Sequence, residues 1–225
     1  TQDRHPLRTL IDHKSAGHAC GHHLFGTGSV AAAIATKQWM EATGQPGEIR
    51  LYGTPAEEGG AGKVYMVREG LFDDADVILH WHPGDSNSAS ARSSLANKSA
   101  KFRFYGLSAH AASAPNRGRS ALDGVEAMNH MVNLMREHVP QETRIHYVIT
   151  SGGAAPNVVP DFAEVYYYVR HPDPEQVIEI FDRVAKTAEG AAMGSGTDMD
   201  FEVSHGIYNV LQNVSLQEAI YLNVQ

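Results

Sequence analysis

Cys20 and His22 stand two residues apart in Gly17-His18-Ala19-Cys20-Gly21-His22-His23. A thiolate and an imidazole suit zinc and similar transition metals. The flanking glycines let the backbone turn tightly enough to aim both side chains at one point. The same string also fits a buried thiol beside a polar loop of histidines. A second cluster, Gly53-Thr54-Pro55-Ala56-Glu57-Glu58-Gly59-Gly60, carries two adjacent carboxylates. Neighbours in an extended chain cannot point the same way, so one can bind metal while the other faces a water. That is the division of labour a hydrolase needs when an activated water must lose a proton. A helix N-terminus, where the dipole favours Glu, is the competing reading. The expected strand end before the pair and its flanking glycines weigh against it. A third cluster is Leu79-His80-Trp81-His82-Pro83. Alternate strand residues share a face, so either His80 or His82 could be a ligand.

A fourth set lies further along. Ser108-Ala109-His110-Ala111 follows an expected strand, and Ala155-Pro156-Asn157-Val158-Val159-Pro160 precedes another. Arg170 closes that second strand on the face opposite Val165, Tyr167 and Val169, and a guanidinium can hold a carboxylate in a two-pronged pair. By residue type alone, His110, Asn157 and Arg170 are ordinary surface residues.

The elements that must position these groups follow from periodicity. Ala-rich Leu24–Ala42 reads as a helix ended by Thr43-Gly44 and Pro46. Ile49–Gly53 reads as a short strand, Lys63–Glu69 as a helix capped by Gly70, and Val77–Leu79 as a buried strand. Strand, helix and strand in that order predict an α/β sheet. Three clusters at the carboxyl ends of such strands fall where open α/β sheets place their sites. Beyond the Ser-rich loop 86–94 the pattern changes. Ala100–Tyr105 alternates, with Phe102 and Phe104 on one face. Ser120–Val139 is apolar every three or four residues. Arg144–Thr150 alternates with Ile145, Tyr147 and Ile149 inward, and Ala163–Arg170 alternates again. Asp173-Pro174 is an N-cap and first-turn pair opening a helix that buries Val177, Phe181, Val184 and Ala188. Asp198–Val203 is a last strand. The order β-α-β-β-α-β is that of the ferredoxin-like split unit. The expected organisation is a partial catalytic domain over residues 1–96, an inserted lid domain over 97–205, and a return segment over 206–225.

The chain has 225 residues, enough for one large domain or two small ones, and 42% of them are hydrophobic, as in ordinary globular proteins. A net charge of −8 disfavours nucleic acid or an anionic membrane as partner. A small anionic substrate needs only a local cation. One cysteine rules out an internal disulfide framework and favours a reducing compartment. Thr1–His13 has neither signal-peptide nor transit-peptide character, so a cytoplasmic location is expected. A start without Met and an end inside a helix-like run, Ser215–Val224, suggest a piece of a longer protein.

Together the motifs resemble the aminoacylase and carboxypeptidase family of two-metal peptidases, in its amidohydrolase branch and nearest the p-aminobenzoyl-glutamate hydrolases. The resemblance rests on GHACGHHLFG (17–26), GTPAEEGG (53–60), MVREGLFD (66–73) and WHP (81–83). In the smaller half it rests on AHAA (109–112), GRSALD (118–123), RIHY (144–147) and SGGAAPNVVP (151–160). It implies a metal-dependent amidohydrolase that cleaves an amide of an N-acyl amino acid or dipeptide-like substrate. The alternative is a catalytically incomplete piece serving as a dimerising lid. The resemblance implies two divalent ions, Zn²⁺ or Mn²⁺, held by Cys20, His22, Glu58 and His82, with the thiolate between them. It makes Glu57 the general base and His110 an oxyanion-stabilising residue that reaches the site of the partner protomer in a homodimer. It places Asn157 and Arg170 on the substrate. An Asp that orients a ligand and a last His ligand, which the family supplies before and after this stretch, are not in the chain. His23 stands where the branch often has Asn and the wider family Asp.

Overall fold

The structure, a computed structural model, describes residues 20–89 and 92–224. The Thr1–His13 reading and Gly17, His18 and Ala19 of the first motif lie outside them. Contacts gather the described chain into two compact units, one running through residues 20–57, 62–89 and 221–224, the other through 92–220 with the turn 58–61.

The first unit is built on helices α1 (His22–Thr43) and α2 (Gly62–Arg68). Gly21 caps the start of α1 at φ 81°, a left-handed conformation that glycine adopts without steric cost, and its carbonyl accepts from the N–H of Leu24 and of Phe25. Gly44 ends the helix at φ 69°. α2 closes in a Schellman turn: the Gly70 N–H donates to the Val67 carbonyl and the Leu71 N–H to the Met66 carbonyl. Ile49–Gly53 and Val77–Leu79 differ from expectation. They pair with no strand, and the sheet expected there does not form among the described residues. A strand exists only through hydrogen bonds to a neighbour, and these two short segments do not provide one for each other. Their apolar side chains stay open, with Leu51 52% and Leu79 64% exposed.

The second unit carries β1 (Ala96–Tyr105), α3 (Ala121–Met135), β2 (Arg144–Ser151), β3 (Phe162–His171), α4 (Pro174–Ser195) and β4 (Asp198–Ile207), followed by α5 (Val214–Tyr221). This is the expected β-α-β-β-α-β order. The four strands form one antiparallel sheet in the order β2-β3-β1-β4. Ser120 caps α3 by accepting from the Asp123 N–H, and Asp173 caps α4 by accepting from Glu175, with Pro174 in the first turn. Both helices cover one face of the sheet. Phe102, Phe104, Val165, Tyr167 and Val169 meet Val125, Met128, Val132, Phe181 and Val184 there, all at most 2% exposed. The packing is tight enough that a Cβ on Gly124 would lie 2.5 Å from the Phe104 ring. Tyr167 and Asn129 bring polar groups into this core. The Tyr167 hydroxyl donates to the Asn129 carboxamide, and burial, with Tyr147 beside it, pushes its ionisation up. On β2, Ile145 is buried as expected, but Tyr147 and Ile149 are 38% and 40% exposed because β2 is a sheet edge.

The opposite face of the sheet is polar. At one end Arg103 sits among Glu164, Asp200 and Glu202. At the other stand Asn97, Ser99, Tyr168, Arg170 and His205.

Candidate metal and substrate site

Cys20 and His82 are 62 positions apart in the chain, yet Cys20 Sγ lies 3.2 Å from His82 Nε2. The other ring nitrogen of His82, Nδ1, donates to the Pro83 carbonyl at 2.7 Å. That hydrogen bond puts the proton on Nδ1 and turns the Nε2 lone pair toward the thiol, the arrangement of a ligating imidazole. Cys20 and His22 each offer one ligand atom, and these atoms lie within 4.8 Å of one another. His22 Nε2 is also 3.8 Å from a Glu57 carboxylate oxygen. Cys20 thus belongs to both groupings. Thiolate, imidazole and carboxylate together are a donor set for zinc-like ions.

Local structure explains the convergence. Cys20 immediately precedes the left-handed Gly21, and His22 opens α1. Glu57 and Glu58 begin a turn over 57–60 bracketed by Ala56 and Ala61, both at positive φ, 57° and 49°. Non-glycine residues there cost about 1–3 kcal/mol each, strain of the kind that collects at functional sites. Neither alanine carried a sequence signal for that conformation. The segment of His80 is not a strand, so alternation does not govern it.

His110 and Asn157 are brought together by backbone. His110 and Val158 form an isolated β-bridge, and the Ala111 N–H donates to the Asn157 carbonyl at 2.9 Å. His110 Nδ1 accepts from the N–H groups of Ala112 and Ser113, each at 3.3 Å. With Nδ1 accepting, the proton of the neutral ring sits on Nε2, which is then a donor. Arg170 does not join this pair. It lies on β3 directly across from Asn97 and stacks over the Tyr168 ring at 5.1 Å. Tyr168 meets the His205 ring edge-on at 5.3 Å. His205 is held by Ser99 Oγ at 2.9 Å on Nδ1 and by the Asn97 carboxamide at 3.0 Å on Nε2. Burial, and then the Arg170 charge, pull the His205 pKa below its ordinary value. Sequence reasoning missed Tyr168, His205, Asn97 and Ser99, because pairing across the sheet gathers them from distant parts of the chain and no motif marks them.

Comparison with known proteins places the chain in a family. Residues 94–194 match the peptidase dimerisation domain of the M20 peptidases. The chain is 49% identical over 206 residues to one of the p-aminobenzoyl-glutamate hydrolase polypeptides of Escherichia coli, covering 91% of the chain and 43% of that protein. It is 32% identical to the Xaa-Arg dipeptidase of Mus musculus, covering 90% of the chain and 48% of that protein. Its fold is that of the aminobenzoyl-glutamate utilization protein from Klebsiella pneumoniae, with a TM-score of 0.59 at 23% identity, over 73% of this chain and 43% of that one. The chain spans about half the length of the curated relatives it matches. With that dimerisation domain, and relatedness over nine-tenths of its length, the chain belongs to the M20 peptidase family.

Proposed function

We propose that the protein is the metal-binding and lid portion of a metal-dependent amidohydrolase that cleaves N-acyl amino acids, with p-aminobenzoyl-glutamate as the leading substrate. The observation that carries this reading is the approach of Cys20 to His82, with the Pro83 carbonyl fixing the imidazole tautomer. Cys20, His22, Glu58 and His82 would hold two divalent ions, Zn²⁺ or Mn²⁺, with Cys20 shared. When bound, such ions polarise the scissile carbonyl and acidify the attacking water.

The remaining steps belong to the chain's own groups. Glu57, 3.8 Å from His22, takes the proton of the attacking water as oxygen bonds to the carbonyl carbon. As the C–N bond breaks, Glu57 returns that proton to the leaving amine, giving a free carboxylic acid and an amino acid. His110 donates from Nε2 to the developing oxyanion, a role its Nδ1 contacts support. Asn157 and Arg170 each contact the substrate from separate places in the second unit, Arg170 as the local cation that an anionic substrate requires in a chain of net charge −8. A homodimer through the second unit fits the dimerisation-domain match and the open β2 edge, where Tyr147, Val148 and Ile149 are exposed. No helix among the described residues is long and apolar enough to cross a membrane. Independently, a single cysteine supports a reducing, cytoplasmic compartment.

The test uses the full-length protein with p-aminobenzoyl-glutamate and a panel of N-acyl amino acids. Glu57→Gln should keep its metal and lose about 10²–10⁴-fold in turnover. Metal loss with that change would show Glu57, not Glu58, to be the ligand. Failure of the unaltered full-length protein to hydrolyse any member of the panel would overturn the reading and leave the dimerising module.

A further inference from the structure

Phe25 and Gly28 stand three residues apart on one face of α1, just beyond its left-handed N-cap Gly21. All three meet Trp81-His82-Pro83. A Cβ on Gly21 would come 3.1 Å from the Pro83 ring. Phe25 sets its ring against Trp81 at 5.7 Å and against His82 at 4.9 Å. It also meets His22, three residues earlier on the same helix, edge-on at 4.9 Å. A Cβ on Gly28 would lie 2.6 Å from Trp81 Cζ2, closer than such contacts allow. The indole therefore seats where the helix has no side chain. Glycine inside a helix costs about 0.5–1 kcal/mol relative to Ala, so Gly28 is not there for helix stability.

We propose that this face is a seat for the Trp81-His82-Pro83 segment, and that Phe25 and Gly28 are positioning residues for the two histidines flanking Cys20. The inference rests on the metal reading above. Phe25 acts on both imidazoles at once, as a wedge between His22 on the helix and His82 on the segment laid across it. Gly28 acts through Trp81. When the indole can settle against the helix, His82 next to it reaches Cys20, and when it cannot, His82 is levered away. Groups that orient ligands from behind typically change metal affinity by about 10–100-fold.

The experiment titrates the apo form of the full-length protein with Co²⁺. It follows both affinity and the thiolate-to-metal absorption that reports Cys20 as a ligand. Gly28→Ala should weaken binding by about 10-fold or more, although the change favours helix. Trp81→Phe removes the ring that collides, so the pair Gly28→Ala/Trp81→Phe should bind within about threefold of Trp81→Phe alone, a coupling seen only if the two residues touch. Phe25→Ala should weaken binding by about 10–100-fold, and Phe25→Tyr should largely retain it. Unchanged affinity in Gly28→Ala, or a loss that Trp81→Phe does not repair, would overturn the seat. Should Gly28→Ala also lower thermal stability, joint recovery of stability and affinity in the double variant supports the seat, and recovery of neither overturns it. His82→Ala separates the two levels. If unaltered protein binds Co²⁺ no better than His82→Ala, the metal reading itself fails. If His82→Ala weakens binding and Gly28→Ala does not, only the seat fails.

Discussion

The stretch 20–89 holds a cysteine, histidines and paired carboxylates but buries few of its apolar side chains. The stretch 92–220 has a dry core under two helices yet keeps its chemistry at the sheet's other face and in two loops. In the second, every strand has a partner within the stretch and both long helices carry side-chain caps. In the first, α1 has no buried residue and the apolar segments 49–53 and 77–79 lie open. Cys20 Sγ nevertheless meets His82 Nε2 there. Around that contact stand a left-handed glycine, the Phe25 ring against His82 and the Pro83 carbonyl on the imidazole, rather than a large core.

The contrast can be broken most sharply by truncation in each stretch. Phe102→Ala removes a fully buried ring that touches Tyr167 and Phe181, and should cost about 3–5 kcal/mol in urea unfolding of the full-length protein. Leu51→Ala removes a side chain already 52% exposed and should cost well under about 1 kcal/mol. Comparable losses at the two positions would erase the distinction.

The two loop and sheet groups of the second stretch should separate kinetically. His110→Ala should lower kcat about 10²–10³-fold with little change in KM, since its donor serves charge that develops in the transition state. Arg170→Lys should mainly raise KM, because a lysine cannot reproduce the guanidinium fork or its stacking on Tyr168. The reverse pattern would exchange their roles. A further comparison mixes His110→Ala with Glu57→Gln protein. Recovered activity in demonstrated heterodimers would place His110 in the site of the other protomer, and no recovery would place it in its own or outside catalysis.

The smallest effect concerns pH. His205 has a folded-state pKa below its ordinary value, so the folded protein binds fewer protons than the unfolded chain in that range. The stability this represents is fully present above about 6.5, the unfolded value, and is lost as pH falls toward the folded-state pKa. Urea midpoints measured from about pH 7.5 down to about pH 5, a range that brackets that value, should decline, and His205→Gln should flatten the decline. An unchanged slope in His205→Gln would remove His205 as its source.

Much of the second stretch was legible because its signals are local. The alternation of Phe102 with Phe104, the spacing of Val125, Met128 and Val132, and Asp173-Pro174 each report one element without reference to another. The edge position of β2 was not legible, since exposure of Tyr147 and Ile149 depends on which strand ends the sheet. In the first stretch the chemistry-bearing residues stood out by type and spacing, but the strands expected to carry them did not form. A short apolar run becomes a strand only by pairing, and pairing is not written in the run itself. Phe25 and Gly28 left a readable trace, a bulky residue between glycines at helical spacing, whose meaning depends on Trp81, far along the chain.

The most direct measurement is metal content set against turnover for the full-length protein, with p-aminobenzoyl-glutamate as substrate and with Cys20→Ser and His82→Ala alongside. The account predicts about two divalent ions per protomer in the unaltered protein. Activity should be lost on chelation and restored by Zn²⁺ or Mn²⁺, and both variants should lose metal and activity together. Undiminished hydrolysis by Cys20→Ser or His82→Ala protein, or by chelated protein, would contradict it.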